Sequence, residues 1–300
     1  MDFEGKNVII TGGSSGIGKV TAKLLSREGA NVFIIARDQQ KLDQTLRELT
    51  AEGSNPHSQY VALSADVTKY EEVEAAIAAI VETGGAPDIL INSAGIARPG
   101  HFEELPLSAF RAQMDTNCFG TVNMVKGVLP HMVARGRGHI VNISSMGGVI
   151  GAFGYTAYAA SKFAVYGFTE ALRAEMKPRG IVVSLVLPPD TDTPQLWGER
   201  EIKPLELKII AGAVKPKKFS RPSEFIAYWL VRSLMTDNGE PMSPDRVAKA
   251  ILVGIRKGRF LIIPDATLRM VFPLRGVIIP LGNWAQDQLT AVAMRELEAG

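Results

Sequence analysis

Short apolar runs alternate with longer helical patterns along the first two-thirds of the chain. The runs are rich in Val and Ile and read NVII, NVFIIA, QYVALSA, DILIN, GHIVNIS and IVVSLVL. Helix-spaced apolar residues lie between them, at 16–29, 38–52, 69–83, 105–135 and 156–177. Because the runs are continuously apolar, we expect each strand to be buried on both faces, as in a parallel sheet covered by helices on each side. The pattern predicts an α/β fold with a doubly wound parallel sheet.

The alternation stops after the sixth run. A polar stretch rich in proline and lysine follows over 188–220, then helical patterns at 222–235 and 243–257 and a short strand, RFLII. We interpret 188–220 as a lid inserted into one large domain, residues 1–265, and 266–300 as an apolar, helical C-terminal extension.

Composition narrows the class of protein. With 46% hydrophobic residues among 300, the chain can bury one large core. Its 33 basic and 31 acidic residues give a formal net charge of +2, which argues against nucleic acid as a partner. The single cysteine, Cys118, excludes an internal disulfide framework, and no cluster has metal-ligand spacing. We therefore expect no bound metal. The first residues lack the features of a signal peptide, so we expect a cytoplasmic protein.

The first predicted strand runs directly into TGGSSGIGK, residues 11–19. Gly12, Gly16 and Gly18 allow a tight turn and let backbone N–H groups approach a pyrophosphate at the positive end of the next helix. The motif predicts a Rossmann-type dinucleotide site, and an ordinary strand-to-helix turn is the alternative.

A tyrosine and a lysine lie four residues apart in YAASK. On a helix this spacing brings the Lys162 ammonium near the Tyr158 phenol, where its charge is expected to lower the tyrosine pKa from about 10 towards neutral pH. Ser145 follows a predicted strand, at the sheet edge where doubly wound folds bind ligands, and Asn117 lies in the helical pattern 105–135. Each residue alone also fits packing or capping, but their order after the glycine loop favours a proton-transfer site.

These motifs resemble, in order and spacing, those of the short-chain dehydrogenase/reductase family. The resemblance covers about residues 5–265 and rests on TGGSSGIG, NSAG at 92–95, Asn117, Ser145 and YAASK. Ser93 departs from the family, which more often has a second Asn there. The resemblance implies a reductase, and we expect a homodimer or homotetramer. The implied catalytic residues are Asn117, Ser145, Tyr158 and Lys162.

The resemblance also implies a role for each residue. Tyr158 would give a proton to the substrate carbonyl as hydride arrives from the nicotinamide, Lys162 would lower its pKa and hold the nicotinamide ribose, and Ser145 would hydrogen-bond the carbonyl. Asn117 would hold a water chain that returns a proton to Lys162, and Asp66 would bind the adenine amino group. Together with the glycine loop, whose Ser14 and Ser15 offer hydroxyl groups to a 2′-phosphate, the expected cofactor contacts come from Gly12, Ser14, Ser15, Gly16, Ile17, Gly18, Asp66, Val67, Asn92, Ala94, Gly95, Tyr158, Lys162 and Pro188.

The end of the second predicted strand reads IIARDQQK. Ala36 stands where an acidic side chain would accept the ribose 2′-OH of NADH and repel a 2′-phosphate, and Arg37 follows it. Lys41, one turn on, adds a second cation. This charge pattern predicts NADPH as the cofactor. The alternative is that Arg37 and Lys41 form a solvated helix start beside Asp38.

The segment PPDTDTP, residues 188–194, follows the sixth predicted strand. It is expected to lie over the nicotinamide, so its length and apolar content shape the substrate pocket. Together with KPLE at 203–206 it resembles the corresponding segment of 3-ketodihydrosphingosine reductases, a branch of the family. That resemblance implies a long-chain keto-lipid substrate. We expect Asp190 or Asp192 to face the ammonium group of that substrate, with simple capping of the next helix as the alternative.

Three classes of function stay open. The first is NADPH-dependent reduction of a ketone to a secondary alcohol, with 3-ketodihydrosphingosine as the leading substrate and 3-oxoacyl thioesters or steroid ketones as alternatives. The second is a non-enzymatic dinucleotide sensor, although Tyr158 and Lys162 are both present. The third is a membrane-tethering protein.

The C-terminal segment 268–284, LRMVFPLRGVIIPLGNW, is apolar but interrupted by two arginines and two prolines. A spanning helix needs about 20 mostly apolar residues, so we expect this segment not to cross a bilayer. Its large apolar residues suit shallow contact with the cytoplasmic face of a membrane. A dimer contact or a cover for the sheet edge is the alternative.

Overall fold

Seven parallel strands form the centre of the molecule. A computed structural model describes residues 2–210, 215–235 and 240–298, so that 211–214 of the predicted lid lie outside the described residues. The strands are β1 (Asn7–Thr11), β2 (Asn31–Ala36), β3 (Tyr60–Ser64), β4 (Ile89–Asn92), β5 (Gly138–Ile143), β6 (Ile181–Val186) and β7 (Leu261–Ile262). Their order across the sheet is β3-β2-β1-β4-β5-β6-β7, and every pair is parallel. This order confirms the predicted Rossmann-type doubly wound sheet, whose winding reverses between β1 and β4.

Helices connect the strands and cover both faces of the sheet. The α-helices are α1 (Gly16–Arg27), α2 (Gln39–Glu52), α3 (Tyr70–Gly84), α4 (Leu107–Gln113), α5 (Gly120–Arg135), α6 (Thr156–Met176), α7 (Pro194–Ile202), α8 (Leu205–Ile210), α9 (Pro222–Met235), α10 (Pro244–Arg256), α11 (Ala266–Val271) and α12 (Arg275–Glu298). Because successive strand side chains point to opposite faces, Val8 and Ile10 pack with α1, α2 and α10, whereas Ile9 packs with α3, α5 and α6.

The predicted single helix over 105–135 is interrupted. A π-helix, Met114–Phe119, separates α4 from α5 and contains Asn117. Apolar periodicity alone does not reveal this change of helix type, because the π-helix continues without a break into α5 and the apolar pattern resumes there. π-Helical turns are rare and frequently lie at functional sites.

The lid and the C-terminal extension pack together. Helices α7 and α8 lie in the predicted insertion, and α12 packs against both α8 and α9. Buried apolar side chains of α8, α9 and α12, among them Ile210, Val231, Ala285 and Leu289, form a core separate from the two sheet faces. The domain boundary at residue 265 stays a prediction.

Segment 268–284 is divided between the core and the surface. Leu268 and Phe272 are buried against Leu185 and Leu187, so the start of the segment covers the sheet near β6. Large side chains that follow are exposed, including Leu274, which is 62% exposed. Among the described residues, no helix is both long and apolar enough to cross a membrane.

Candidate active site

A cleft lies at the carboxyl ends of the strands, between the sheet, the lid and α12. Its cavity volume is about 240 Å³. The cleft lies at the reversal point of the sheet, which is where doubly wound folds bind their ligands. The predicted site residues that line it are Gly12, Ser15, Gly16, Ile17, Ala94, Gly95, Ser145, Tyr158, Lys162, Pro188 and Asp190.

The glycine loop is tight enough to exclude other residues. Gly12 and Gly16 have φ angles of +65° and +50°, which strain any residue with a Cβ atom. A Cβ atom on Gly18 would overlap the carbonyl oxygen of Gly12. Ser15, the N-cap of α1, makes no side-chain capping hydrogen bond, so its hydroxyl does not block the first N–H groups of the helix. This cradle at a positive helix end fits a dinucleotide pyrophosphate.

The predicted adenine end of the site lies beyond β2 and β3. Arg37 is exposed, and its charge is close enough to Asp66 to act on that carboxyl group. Burial favours a higher pKa for Asp66, but hydrogen bonds from Thr68 and the charge of Arg37 outweigh burial and lower the pKa. Lys41 is paired with Asp38, with 3.3 Å between the ammonium nitrogen and a carboxylate oxygen. The Asp38 side chain also caps α2, as the solvated-helix alternative requires.

Two residues predicted to contact the cofactor, Val67 and Asn92, form hydrogen bonds to other parts of the protein instead. The carbonyl oxygen of Val67 accepts a hydrogen bond of 2.9 Å from the Asn123 amide. The side chain of Asn92 is buried and donates to Asn142, also at 2.9 Å, which ties β4 to β5. Neither Asn92 nor Val67 lines the cleft.

Lys162 and Tyr158 lie side by side on the first turns of α6, as their spacing predicts. The Lys162 ammonium nitrogen is 5.8 Å from the centre of the Tyr158 ring, and it donates a hydrogen bond of 3.0 Å to the carbonyl oxygen of Ile143. Burial lowers the pKa of Lys162 to about 8.

The expected lowering of the Tyr158 pKa is wrong for this arrangement. Burial of the phenol raises its pKa, and the charges of Glu199 and Asp190 raise it further, although a hydrogen bond with Ser145 acts in the opposite direction. The reason is geometric, because Lys162 directs its ammonium group to a backbone carbonyl rather than to the phenol. Tyr158 is therefore a protonated phenol at neutral pH.

Ser145 is the second residue after β5 and lies next to Tyr158. Its hydroxyl oxygen accepts a hydrogen bond of 3.1 Å from the Gly147 backbone and caps a short 3-10 turn, Met146–Gly148. A Cβ atom on Gly147 would lie 3.3 Å from the Tyr158 ring, so the chain passes close to the phenol. Ser145 and Tyr158 thus present two hydroxyl groups to the same part of the cleft.

Asn117 is buried in the π-helix and acts as a clamp. Its amide oxygen accepts from the Ile96 backbone N–H at 2.8 Å, and its amide nitrogen donates to the Ile96 carbonyl oxygen and to the Ser161 hydroxyl at 2.9 and 2.8 Å. It therefore joins the loop after β4 to α6. Asn117 does not line the cleft, but Lys162 lies on the helix that it holds.

Comparison with known proteins identifies the family. The family model of the short chain dehydrogenases matches residues 6–203. This chain belongs to the short-chain dehydrogenase family. It is therefore an oxidoreductase, and the fold of its family binds NAD or NADP.

Relatives of this short-chain dehydrogenase include several sphingoid-base reductases. It is 41% identical to a 3-dehydrosphinganine reductase of Danio rerio over 225 residues, which are 74% of this chain and 68% of the relative. It is 35% identical to a 3-ketodihydrosphingosine reductase of Dictyostelium discoideum over 292 residues, 93% of this chain and 80% of the relative. A crystal structure of a single-residue variant of actinorhodin polyketide ketoreductase with NADPH has a TM-score of 0.72 and 32% identity, covering 86% of this chain and 95% of the other.

The lid of this short-chain dehydrogenase separates its two predicted aspartates. Asp190 lines the cleft, whereas Asp192 is exposed and accepts a hydrogen bond of 2.6 Å from the Trp197 indole. Neither side chain caps α7, because the hydroxyl oxygen of Thr193 accepts from Leu196 N–H instead. The capping alternative is therefore wrong for both aspartates.

Sequence reasoning missed three polar residues beside Asp190. Tyr155, Glu199 and Lys203 also line the cleft, and Glu199 and Lys203 are 8% and 6% exposed. The distance along the chain between Tyr155 and the other members hides the cluster. The only signal is the Glu199 and Lys203 spacing of four, which is equally typical of a solvated helix face. We call Tyr155, Asp190, Glu199 and Lys203 the lid cluster.

Proposed function

We propose that this short-chain dehydrogenase reduces 3-ketodihydrosphingosine to dihydrosphingosine with NADPH. The supporting observation is the extent of the match to the Dictyostelium relative. That match covers 93% of this chain and so includes the elements beyond residue 203, where the family model ends. These later elements, α9 and α12, build the substrate side of the cleft together with the lid.

NADPH rather than NADH is supported by the charge at the end of β2. Ala36 leaves no carboxylate to repel a 2′-phosphate, and the exposed Arg37 guanidinium offers a bidentate partner for it. The glycine loop would hold the pyrophosphate, and Lys162 would hold the nicotinamide ribose. When bound, the nicotinamide supplies hydride to the carbonyl carbon.

Proton transfer falls to Tyr158. Because burial raises its pKa, the phenol stays protonated at neutral pH, which is the form that a general acid needs for reduction. Ser145 would hydrogen-bond the carbonyl oxygen that receives the proton. The Lys162 ammonium group would stabilise the phenolate that is left, and Asn117 is a positioning residue that fixes α6 against the loop after β4.

Parallel assays test this proposal. NADPH oxidation by the purified protein is measured with 3-ketodihydrosphingosine, a 3-oxoacyl thioester and a steroid ketone. We expect the highest kcat/KM with 3-ketodihydrosphingosine, and a lower value with NADH in place of NADPH. A higher kcat/KM with the thioester would favour the second candidate, a 3-oxoacyl reductase, which the likeness to the polyketide ketoreductase supports.

A further inference from the structure

The lid cluster contains a carboxylate held in a fixed orientation. The Tyr155 hydroxyl donates to one Glu199 oxygen and the Gln195 amide donates to the other, both at 3.0 Å. Burial raises the pKa of Tyr155, so this phenol remains a donor. Two neutral donors fix the carboxylate without neutralising its charge, and each carboxylate oxygen retains a further lone pair.

Two other members of the cluster, the half-buried Asp190 and the buried Lys203, line the cavity without side-chain hydrogen-bond partners among the described residues. Among the described residues, none donates a hydrogen bond to the Asp190 carboxylate. Among the residues that the structure describes, the Lys203 ammonium group makes no hydrogen bond, and Asp190 and Glu199 act on it only through their charges. It lies instead over the Tyr155 ring, 4.8 Å from the ring centre. Charged groups that are buried in this way are costly unless a ligand pairs with them.

The balance of charge on this side of the cleft is negative. Asp190, Glu199 and Lys203 line the cavity, so that two carboxylates face one ammonium group there. The Arg200 guanidinium does not line the cavity, although its charge also acts on Asp190. Burial raises the pKa of each carboxyl group, and a cation bound between them would lower both values. One additional positive charge would balance the charged groups that line the cavity.

The cluster lies close to the reacting group. The rings of Tyr155 and Tyr158 are 5.9 Å apart, centre to centre, and the charges of Glu199 and Asp190 act on the Tyr158 phenol. A substrate whose ketone oxygen meets Tyr158 therefore places its neighbouring carbon atoms beside the two carboxylates.

Resting on the proposed function, we infer that Asp190 and Glu199 bind the ammonium group of an α-amino ketone, one carbon away from the carbonyl that is reduced. Lys203 offsets one of the two carboxylate charges without pairing directly with either group, which leaves one net negative charge among the cavity-lining groups for one ammonium group. The lid is then a selectivity element that favours amino ketones over amine-free ketones. Asp192 takes no part, because its carboxylate faces the Trp197 indole outside the cleft.

Isosteric substitutions test this inference. Glu199→Gln and Asp190→Asn remove charge with little change in shape, and Asp192→Asn is the matched control. Each protein is assayed with 3-ketodihydrosphingosine and with the hydroxyketone of equal chain length that lacks only the amine. We expect Glu199→Gln and Asp190→Asn to lower the ratio of kcat/KM, amino ketone over amine-free ketone, by about 10- to 100-fold, as expected for a lost hydrogen bond between charged groups. Asp192→Asn should leave the ratio within about 2-fold of wild type, since surface pairs contribute little.

A substitution that is expected to raise the ratio separates a change in selectivity from a loss of folded protein. Lys203→Gln removes the competing cation and should raise the same ratio. Equal losses on both ketones in Glu199→Gln and Asp190→Asn, or an unchanged ratio in Lys203→Gln, would overturn the inference while leaving the proposed function intact. Failure of the wild-type protein to reduce the amino ketone, with activity on other ketones retained, would overturn the proposed function itself.

Discussion

At the scale of single residues, Arg37 and Lys41 differ in their surroundings although both were predicted to bind the 2′-phosphate. The Lys41 ammonium is 3.3 Å from the Asp38 carboxylate, which weakens its charge towards a further anion. Arg37 is exposed beside Asp66, whose pKa it helps to lower. We therefore expect Arg37 to contribute more of the preference for NADPH than Lys41.

Substituting each cation tests this difference. Arg37→Asp removes a guanidinium and adds a repelling anion, so the ratio of kcat/KM for NADPH over NADH should fall by at least ~10-fold. Lys41→Ser, the control, should lower the ratio much less. An unchanged ratio in Arg37→Asp would reject the cofactor assignment.

The pKa of Lys162 predicts the pH dependence of reduction. Burial lowers that pKa to about 8, so the ammonium form is lost as pH rises through about 8. The phenol of Tyr158 stays protonated over the same range because burial raises its pKa. We expect kcat/KM for ketone reduction to decline above about pH 8, and Lys162→Arg, whose guanidinium stays charged, to remove that decline from whatever activity remains. A flat wild-type profile across this range would contradict a requirement for the ammonium form.

At the scale of elements, the regular parts of the fold were predictable and the irregular parts were not. Continuous runs of Val and Ile indicate strands that are buried on both faces of the sheet, so the strands and their parallel arrangement follow from local sequence. The glycine loop follows equally, because Gly12 and Gly16 need positive φ angles. The π-helix around Asn117 and the lid cluster depend on packing between segments far apart in the chain, which no local pattern encodes. The prediction of a lowered Tyr158 pKa was wrong for the same reason, because the Lys162 ammonium group is directed by its hydrogen bond to the Ile143 carbonyl oxygen.

Helix α12 closes one end of the cleft and holds the loop that precedes α6. The Gln286 amide oxygen accepts from Phe153 N–H at 2.8 Å, and its amide nitrogen donates to the Gly151 carbonyl oxygen at 2.9 Å. Gln286 also lines the cleft, so the extension shapes the substrate side directly.

A pair of substitutions on α12 tests this coupling. Gln286→Ala removes both loop contacts and should raise KM for the ketone by about 3- to 10-fold with a smaller change in kcat, since each hydrogen bond contributes about 1 kcal/mol. Gln288→Ala is the control, because the Gln288 side chain meets Ser223 on α9 rather than the loop. Steady-state kinetics in which both variants raise KM equally would show that α12 acts through general packing instead.

At the scale of the whole molecule, the C-terminal segment exposes several large apolar side chains, a feature typical of surfaces that contact lipid or another subunit. Met270, Leu274, Leu281 and Trp284 are exposed on the C-terminal segment, at 73, 62, 48 and 37%. The sequence predicts that this segment contacts either a membrane or a second subunit. The homodimer or homotetramer and the cytoplasmic location remain predictions. Trp and large aliphatic side chains near arginines are typical of shallow membrane contact.

Liposome sedimentation distinguishes membrane contact from subunit contact. If the C-terminal segment contacts lipid, Leu274→Ser with Leu281→Ser should reduce co-sedimentation with anionic liposomes without changing the oligomeric state. Phe102→Ser with Leu107→Ser is the control, because these side chains are similarly exposed but lie outside the segment. A change in oligomeric state without any change in sedimentation would assign the surface to subunit contact.

The turnover of Tyr158→Phe tests the central claim most directly. This substitution removes only the hydroxyl group, so the cleft and the glycine loop should retain their shape and NADPH affinity should stay close to that of wild type. Loss of a general acid predicts a fall of at least ~100-fold in kcat for 3-ketodihydrosphingosine, measured as NADPH oxidation at saturating cofactor. Turnover within about 2-fold of wild type, with NADPH still bound, would contradict Tyr158 as the proton donor.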